Sequence, residues 1–310
     1  MTVVLRVQTP GLFSTIQDLG RLNAISAGVQ QGGAMDRFAH SAANLLVGND
    51  PALATLECTF TGPNLIAESA CLIAITGADF EPQINGAAAP SWTGLFLGPG
   101  DRLTFGTRRA GARIYIAIGG GIEADRWLGS ASTNVLASRG GKEGRPLKSG
   151  DAIATAGSPR KPAVAGRALP ETLRPDYGDH TLHAIAGPQV KRLSPEGRGF
   201  LFGAPYRLSR DSDRMGYRLE GPVMPTSGEE LLSFGLVSGA VQVPRNGQPI
   251  LLMADCQTAG GYPVVATVVS ASMPIAAQLL PGDEVRFAEV PIEHAGQMRK
   301  ALESALATLR

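Results

Sequence analysis

The sequence predicts a mainly β protein of two domains with a few short helices, and three observations carry that expectation. The chain has 310 residues, more than a single hydrophobic core usually serves. Its 39 glycines and 22 prolines fall between apolar segments, where turn residues belong. Those segments are mostly short, β-branched or alternating runs, and few repeat with helical spacing.

Taken in order, the N-terminal residues 1–7 form a short β-like run. Residues 71–76 (Cys-Leu-Ile-Ala-Ile-Thr) before Gly77, 113–118 (Arg-Ile-Tyr-Ile-Ala-Ile) before Gly119, and 263–269 (Pro-Val-Val-Ala-Thr-Val-Val) each fit a buried strand closed by a turn signal. Helical spacing appears over 36–47, where Met35, Phe38, Ala39, Ala42, Leu45 and Leu46 share a face and Gly48-Asn49 marks the stop. A second helix is expected over 294–309.

A faint internal echo links Gly98-Pro-Gly-Asp-Arg-Leu-Thr-Phe105 to Leu280-Pro-Gly-Asp-Glu-Val-Arg-Phe287, and Thr61-Gly-Pro63 to Glu220-Gly-Pro222. Lys148-Ser-Gly-Asp151 begins a third turn-then-strand unit. The Pro-, Ala- and Arg-rich stretch 156–176 reads as a linker, dividing the chain into an N-terminal domain, 1–165, and a C-terminal domain, 166–310.

Composition narrows the function. Net charge is +1 with both signs spread along the chain, so no basic footprint for nucleic acid is present. No apolar run reaches membrane-spanning length, and the N-terminus lacks the pattern of a secretory leader. The three cysteines, Cys58, Cys71 and Cys256, are widely spaced and form no CxxC, as expected of reduced thiols in the cytoplasm.

The sequence holds no P-loop, dinucleotide-binding GxGxxG, HExxH or GxSxG motif, and no Met-Lys-Met for biotin attachment. His180 and His183 have no third ligand nearby in the chain, so no metal site is expected. Any nucleotide loop or biotin carrier is therefore expected mostly on another chain.

Four polar clusters remain. The first sets Gln17, Asp18, Arg21 and Asp36 among glycines that let backbone approach a ligand, or leaves Asp18 and Arg21 to brace a loop. The second joins Gly119-Gly-Gly121 to Ser130, Ser132, Thr133 and Arg145, a mixture of hydroxyls, backbone N–H groups and a cation that suits an anion, or a set of capped turns.

The third, residues 211–218, holds Asp211, Asp213, Arg214 and Arg218, which form a rim ion-pair network or orient a substrate carboxylate bidentately. The fourth contains Gln242, then Asp255, Gln257, Thr258 and Tyr262 beside Gly260-Gly261. Polar groups so dense between two apolar runs need partners, and a small amide-bearing substrate would supply them. Cys256 reads as a structural thiol.

Together these segments resemble the biotin-dependent carboxyltransferase-like family, whose members include the C component of 5-oxoprolinase, historically allophanate hydrolase subunit 2. The resemblance rests on Gln17-Asp-Leu-Gly-Arg21, Gly33-Ala-Met-Asp36, Ala43-Asn-Leu-Leu-Val-Gly-Asn49, Gly77-Ala-Asp79, Gly119-Gly-Gly-Ile122, Leu128-Gly-Ser130, Ser132-Thr133, Ser212-Asp-Arg-Met-Gly-Tyr-Arg218, Gln242-Val-Pro244 and 257–263. It runs in order from about residue 7 to residue 288.

The resemblance implies two cyclophilin-like β-barrel domains and a smaller partner protein, the B component of the 5-oxoprolinase system. It implies that the pair uses ATP, with Mg, to activate the lactam of 5-oxoproline, and that a separate A component completes hydrolysis to glutamate. Alternatives within the same resemblance are the carboxyltransferase part of a biotin-dependent urea or amide carboxylase, and a regulatory binder of a kinase-inhibitor-like B component.

On the lactam reading, Asp255, Gln257, Thr258 and Tyr262 face Asp213 and Arg214 across one cleft, with Arg214 or Arg218 holding the substrate carboxylate. The family's last motif reads Asp-Arg-Gln-Thr-Thr-Gly-Gly-Tyr-Pro. Cys256 and Ala259 depart from it, which implies an altered substrate preference.

Overall fold

A computed structural model describes residues 2–155, 157 and 165–310. They divide into two compact units. The first draws on Met1–Gly20, Asp36–Pro175 and Glu303–Arg310, the second on Arg21–Met35 and Asp176–Leu302. Part of the expected linker, residues 156 and 158–164, lies outside the described residues. Its later part is no linker: Arg167 O accepts from Gly94 N at 2.8 Å, Leu169 N donates to Trp92 O at 3.0 Å, and Leu169 is buried.

The first unit contains strands β1 (Thr2–Thr9), β2 (Phe13–Gln17), β3 (Thr55–Thr59), β4 (Asn64–Ala67), β5 (Cys71–Asp79), β6 (Pro82–Ile84), β7 (Ala87–Ala88), β8 (Gly94–Leu97), β9 (Arg102–Phe105), β10 (Ala110–Ile118) and β11 (Ala152–Thr155). They make a six-stranded sheet, β11-β1-β4-β9-β6-β7, and a five-stranded sheet, β2-β3-β10-β5-β8. One core lies between them, filled by Val4, Leu5, Leu65 and Leu103 from one sheet and Leu56, Ile73, Ile114 and Ile116 from the other.

Helix α1 (Arg37–Leu46) begins where the sequence places it, because the Asp36 side chain accepts from Ala39 N at 2.9 Å and caps it. Its C-terminal end is tied down by Asn49, whose side chain donates to Ile118 O at 2.8 Å and accepts from Gly120 N at 2.9 Å.

The second unit contains β12 (Thr181–Ala186), α2 (Pro195–Gly203), β13 (Tyr206–Leu208), β14 (Gly216–Glu220), β15 (Phe234–Gly235), β16 (Ala240–Gln242), β17 (Ile250–Leu252), β18 (Ala259–Gly260), β19 (Val264–Val268), α3 (Met273–Gln278) and β20 (Glu284–Glu289). Seven of these strands close into a barrel, β12-β19-β16-β17-β14-β13-β20, and β15 pairs with β18 apart from it. The barrel core holds Leu182, Tyr206, Tyr217, Leu219, Val241, Leu251, Val265 and Phe287. The last helix, α4, spans Ile292–Ala307.

The sequence echo has a physical basis. At residues 98–101, 148–151 and 280–283 the chain makes the same four-residue turn, with glycine third and aspartate fourth. Gly100, Gly150 and Gly282 adopt φ of 90°, 87° and 96°, which glycine enters without steric cost. The aspartate carboxylate accepts from the N–H of the first residue at 2.7 Å (Asp101), 2.8 Å (Asp151) and 2.8 Å (Asp283). The Gly-Pro echo also has one cause, since a Cβ at Gly62 would run into the Phe105 ring and one at Gly221 into the Tyr206 ring.

Candidate functional site

The site is built on the outer face of the barrel. Along β14, Tyr217 and Leu219 point into the core and Arg218 points out, as strand alternation requires. Register places Arg218 opposite Ile250 on β17, and Ile250 opposite Gln242 on β16. One row across three strands therefore reads guanidinium, aliphatic, amide.

This row lies along a cavity of about 590 Å³ whose wall also includes Asp213, Leu252, Gln257 and Tyr262. Asp211 and Glu220 add carboxylates to the wall.

The amide end is preset. Gln242 is 1% exposed; its Nε2 donates to Tyr262 O at 3.3 Å, and its Oε1 accepts from Gln257 Nε2 at 3.3 Å. One Nε2 hydrogen of Gln257 is so engaged, which orients the side chain, and its carbonyl oxygen can accept from a ligand N–H. Gly260 packs against this pair, a Cβ there falling 3.4 Å from Gln242 Nε2 and 2.9 Å from Leu236 Cδ1.

Asp213 shapes the turn before β14: its Oδ1 accepts from Met215 N at 2.8 Å and Gly216 N at 3.2 Å. Ser212 Oγ accepts from Arg218 N at 3.0 Å in the same turn.

Arg214 and Asp255 meet directly. Arg214 Nε and Nη2 donate to the two Asp255 oxygens at 2.8 and 3.1 Å, and Nη2 also donates to Gly33 O at 2.7 Å. This bidentate pair commits both charges to each other and fastens segment 21–35 within the second unit. Arg21 belongs here too: a Cβ at Gly32 would lie 2.8 Å from Arg21 Nη1 and 3.5 Å from Asp255 Oδ1. Of the two arginines expected to hold a carboxylate, Arg218 lines the cavity and Arg214 closes an internal clamp. Thr258 contributes its carbonyl, which accepts from Leu236 N at 2.9 Å.

The departure at Cys256 is absorbed by packing. Its side chain sits with Leu236, Ala240, Leu252 and Val264 in a small apolar cluster, and burial pushes the thiol up to about 11. At neutral pH it is a protonated packing group, as expected of a structural thiol.

The remaining expected residues lie in the first unit. Asp18 Oδ1 accepts from Ser130 Oγ and Ser132 Oγ, each at 2.6 Å, and from Gly20 N at 2.8 Å. Asp18 Oδ2 accepts from Ala131 N at 2.6 Å. Burial alone would raise its pKa, but the two hydroxyls and two backbone N–H groups outweigh that and the net shift is downward.

Thr133 Oγ1 donates to Ile16 O at 2.9 Å, and Gln17 Nε2 donates to Thr15 Oγ1 at 3.0 Å and Thr133 O at 3.4 Å. Arg145 is held bidentately by Asp151 at 2.8 and 3.0 Å, with Glu143 alongside. The N–H groups of Gly119, Gly120 and Gly121 are spent on Leu72 O, Asn49 Oδ1 and Ile118 O. Each of these groups braces a turn or a strand end.

Sequence reasoning passed over three buried polar residues of the first unit: His40, Glu57 and Tyr115. Tyr115 OH donates to Glu57 Oε2 and accepts from Asp36 N, each at 2.8 Å. Glu57 stands inside a run that otherwise reads as a buried strand, and that contradiction was the available signal.

Among the described residues no group of three His, Cys, Asp or Glu is arranged to hold a metal ion. No helix among them is long and apolar enough to cross a membrane.

Comparison with known proteins places this geometry in context. The carboxyltransferase domain family, subdomain A and B, matches residues 27–289. The C component of 5-oxoprolinase from Escherichia coli K12 is 37% identical over 300 residues, covering 96% of this chain and 94% of that protein. Its counterpart of the same name from Haemophilus influenzae is 32% identical over 298 residues, covering 96% and 94%.

The crystal structure of the K. lactis urea amidolyase superposes with a TM-score of 0.92 at 26% identity. It covers 99% of this chain, which spans only 20% of that one.

Proposed function

This chain belongs to the carboxyltransferase domain family, and from that premise we propose that it serves as the C component of an ATP-dependent 5-oxoprolinase. It works with a smaller B component to activate the lactam of 5-oxoproline, and the A component releases glutamate. The observation that carries this reading is the Arg218–Ile250–Gln242 row with Gln257 at its amide end.

5-Oxoproline is a small ring with a carboxylate on one side and a lactam N–H and C=O on the other. Arg218 takes the carboxylate in a charge-assisted pair, Ile250 and Leu252 support the ring, and Gln257 Oε1 accepts the lactam N–H. Neighbouring strands lie about 4.8 Å apart, so the two polar ends start roughly 10 Å apart at the backbone and converge through long side chains. Holding both ends fixes the carbonyl for attack and spares orientational entropy at the reacting step.

ATP, with Mg, supplies the driving force against the amide resonance; its site is shared with the B component. Arg218 is the cationic group lining the groove, so the groove fits one substrate carboxylate better than a triphosphate. No biotin is attached to this chain. The setting is the cytoplasm, where ATP is available and buried thiols stay reduced.

A second reading, the carboxyltransferase role of a urea carboxylase, is favoured by the likeness to urea amidolyase. Urea has no carboxylate, however, and leaves Arg218 without its ion partner. ATP hydrolysis by the chain mixed with the A and B components separates the two. Stimulation by 5-oxoproline with glutamate release supports the lactam reading. Stimulation only by urea with a biotinylated carrier replaces it.

A further inference from the structure

Strand β15 pairs only with β18, so among the described residues its outer edge faces no other strand. Proteins blunt such edges with charged side chains or proline, because an open edge recruits strands from other chains. Neither device is present here: residues 231–238 read Leu-Leu-Ser-Phe-Gly-Leu-Val-Ser.

The edge is held from beneath. Phe234 and Leu236 pack with Ala240, Leu252, Cys256 and Val264, and Leu236 N donates to Thr258 O at 2.9 Å. Leu232 and Val237 instead stand 91% and 57% exposed. A Cβ at Gly235 would meet nothing within 4 Å, so the space beside the strand is open. A lone exposed leucine is ordinary, but two apolar side chains along an uncharged, unpaired edge make a docking strip.

The strip runs beside the groove. Strand β18 lies within segment 257–262, which sets Gln257 and Tyr262 in the groove wall. Continued by two residues, the β15–β18 register brings Leu232 level with Tyr262, and a Cβ at Gly261 would lie 2.9 Å from Leu231 O. Tyr262 also lines a second cavity, of about 340 Å³, together with Leu231, Val243, Pro263, Arg192 and Arg245. The charges there are committed: Arg192 Nη1 donates to Ser227 O and Glu229 O at 3.2 and 2.7 Å, and Arg245 pairs with Glu230. An apolar recess inside a rim of spent charges suits one side chain of a protein partner better than a free anion.

We propose that the open edge of β15 is where the B component docks, adding a strand there and seating an apolar side chain in the cavity between Leu231 and Tyr262. Main-chain pairing supplies the grip and the cavity the specificity. The choice of occupant rests on the proposed function. ATP must reach a carbonyl held in the groove, so the component that shares the nucleotide sits on the groove's rim, where this strip lies.

The test measures the affinity of the full chain for the B component by titration calorimetry, without ATP or 5-oxoproline, so that turnover plays no part. Leu232→Lys is compared with the wild type and with Leu136→Lys, which charges an exposed leucine of the first unit. Both variants should melt within about 2 °C of the wild type, since neither side chain is buried. Leu232→Lys should bind roughly ten-fold more weakly or worse, because it places a charge in a desolvated strand contact, and Leu136→Lys should bind as the wild type does. In the wild type, the amides of residues 231–237 should exchange more slowly once the B component is added.

Unchanged affinity in Leu232→Lys overturns the proposal, and so does the absence of binding by the wild type. Should that variant not fold, unchanged exchange over residues 231–237 overturns it equally. Dimers of the chain alone that Leu232→Lys dissolves would assign the edge to a second copy and also overturn it. ATP hydrolysis is scored separately. Docking through Leu232 without stimulation by 5-oxoproline would sink the proposed function and keep this surface, whereas stimulation with docking elsewhere would do the reverse.

Discussion

Asp18 and Arg218 show how differently two charged residues of one chain can be used. Asp18 is buried and accepts four hydrogen bonds from segments far apart in sequence. Asp18→Ala strands two buried hydroxyls and two N–H groups and should cost about 3 kcal/mol, measured as a drop in the urea midpoint at unchanged slope. Its folded pKa lies below the unfolded value. The associated stability is therefore present above about pH 4 and is lost as pH falls below that.

Arg218, by contrast, sits on the outward face of its strand, and Arg218→Gln should leave the melting temperature within about 2 °C of the wild type. Both residues stood out in the sequence as polar groups in turn-rich segments. What separated bracing from binding was strand alternation and hydrogen-bond partners, which the sequence shows only once register is known. Arg214 makes the same point: four residues from Arg218 in the chain, it is spent on Asp255 and Gly33.

Among the elements, the Gly-Asp turns and α1 were the most legible. The turn repeats because one local geometry, a glycine at positive φ followed by an aspartate that caps the turn, solves the same problem three times. A Cβ at Gly100, Gly150 or Gly282 meets nothing within 4 Å. Alanine at any of them should therefore cost only the conformational term, about 1–2 kcal/mol in chemical denaturation.

Helix α1 was legible from its apolar spacing and stop signal, but not its burial of His40. That histidine's folded pKa of about 4 lies below its ordinary 6.5, so between these values the unfolded chain binds more protons. Stability should fall as pH drops through that window, by at most about 3 kcal/mol, and His40→Phe should flatten the slope. Melting temperatures from pH 7 to pH 4 for both proteins test this.

At the scale of the whole molecule, short β-branched runs and abundant turn residues announced a strand-rich fold, and a seven-stranded barrel with a two-sheet unit is what forms. The assignment of segment 21–35 to the second unit was not legible, because no local pattern records which core a loop joins. The buried polar row of Thr15, Glu57, Tyr115 and Thr76 was not legible either, because its members lie on four strands separated by tens of residues.

Kinetics of the complex reconstituted with the A and B components, comparing Arg218→Gln with the wild type on 5-oxoproline, test the central claim most directly. The account predicts a KM for 5-oxoproline raised ten-fold or more with a smaller change in kcat, the signature of a lost carboxylate contact. An unchanged KM in a folded, assembled complex would contradict it and place the lactam outside the barrel groove.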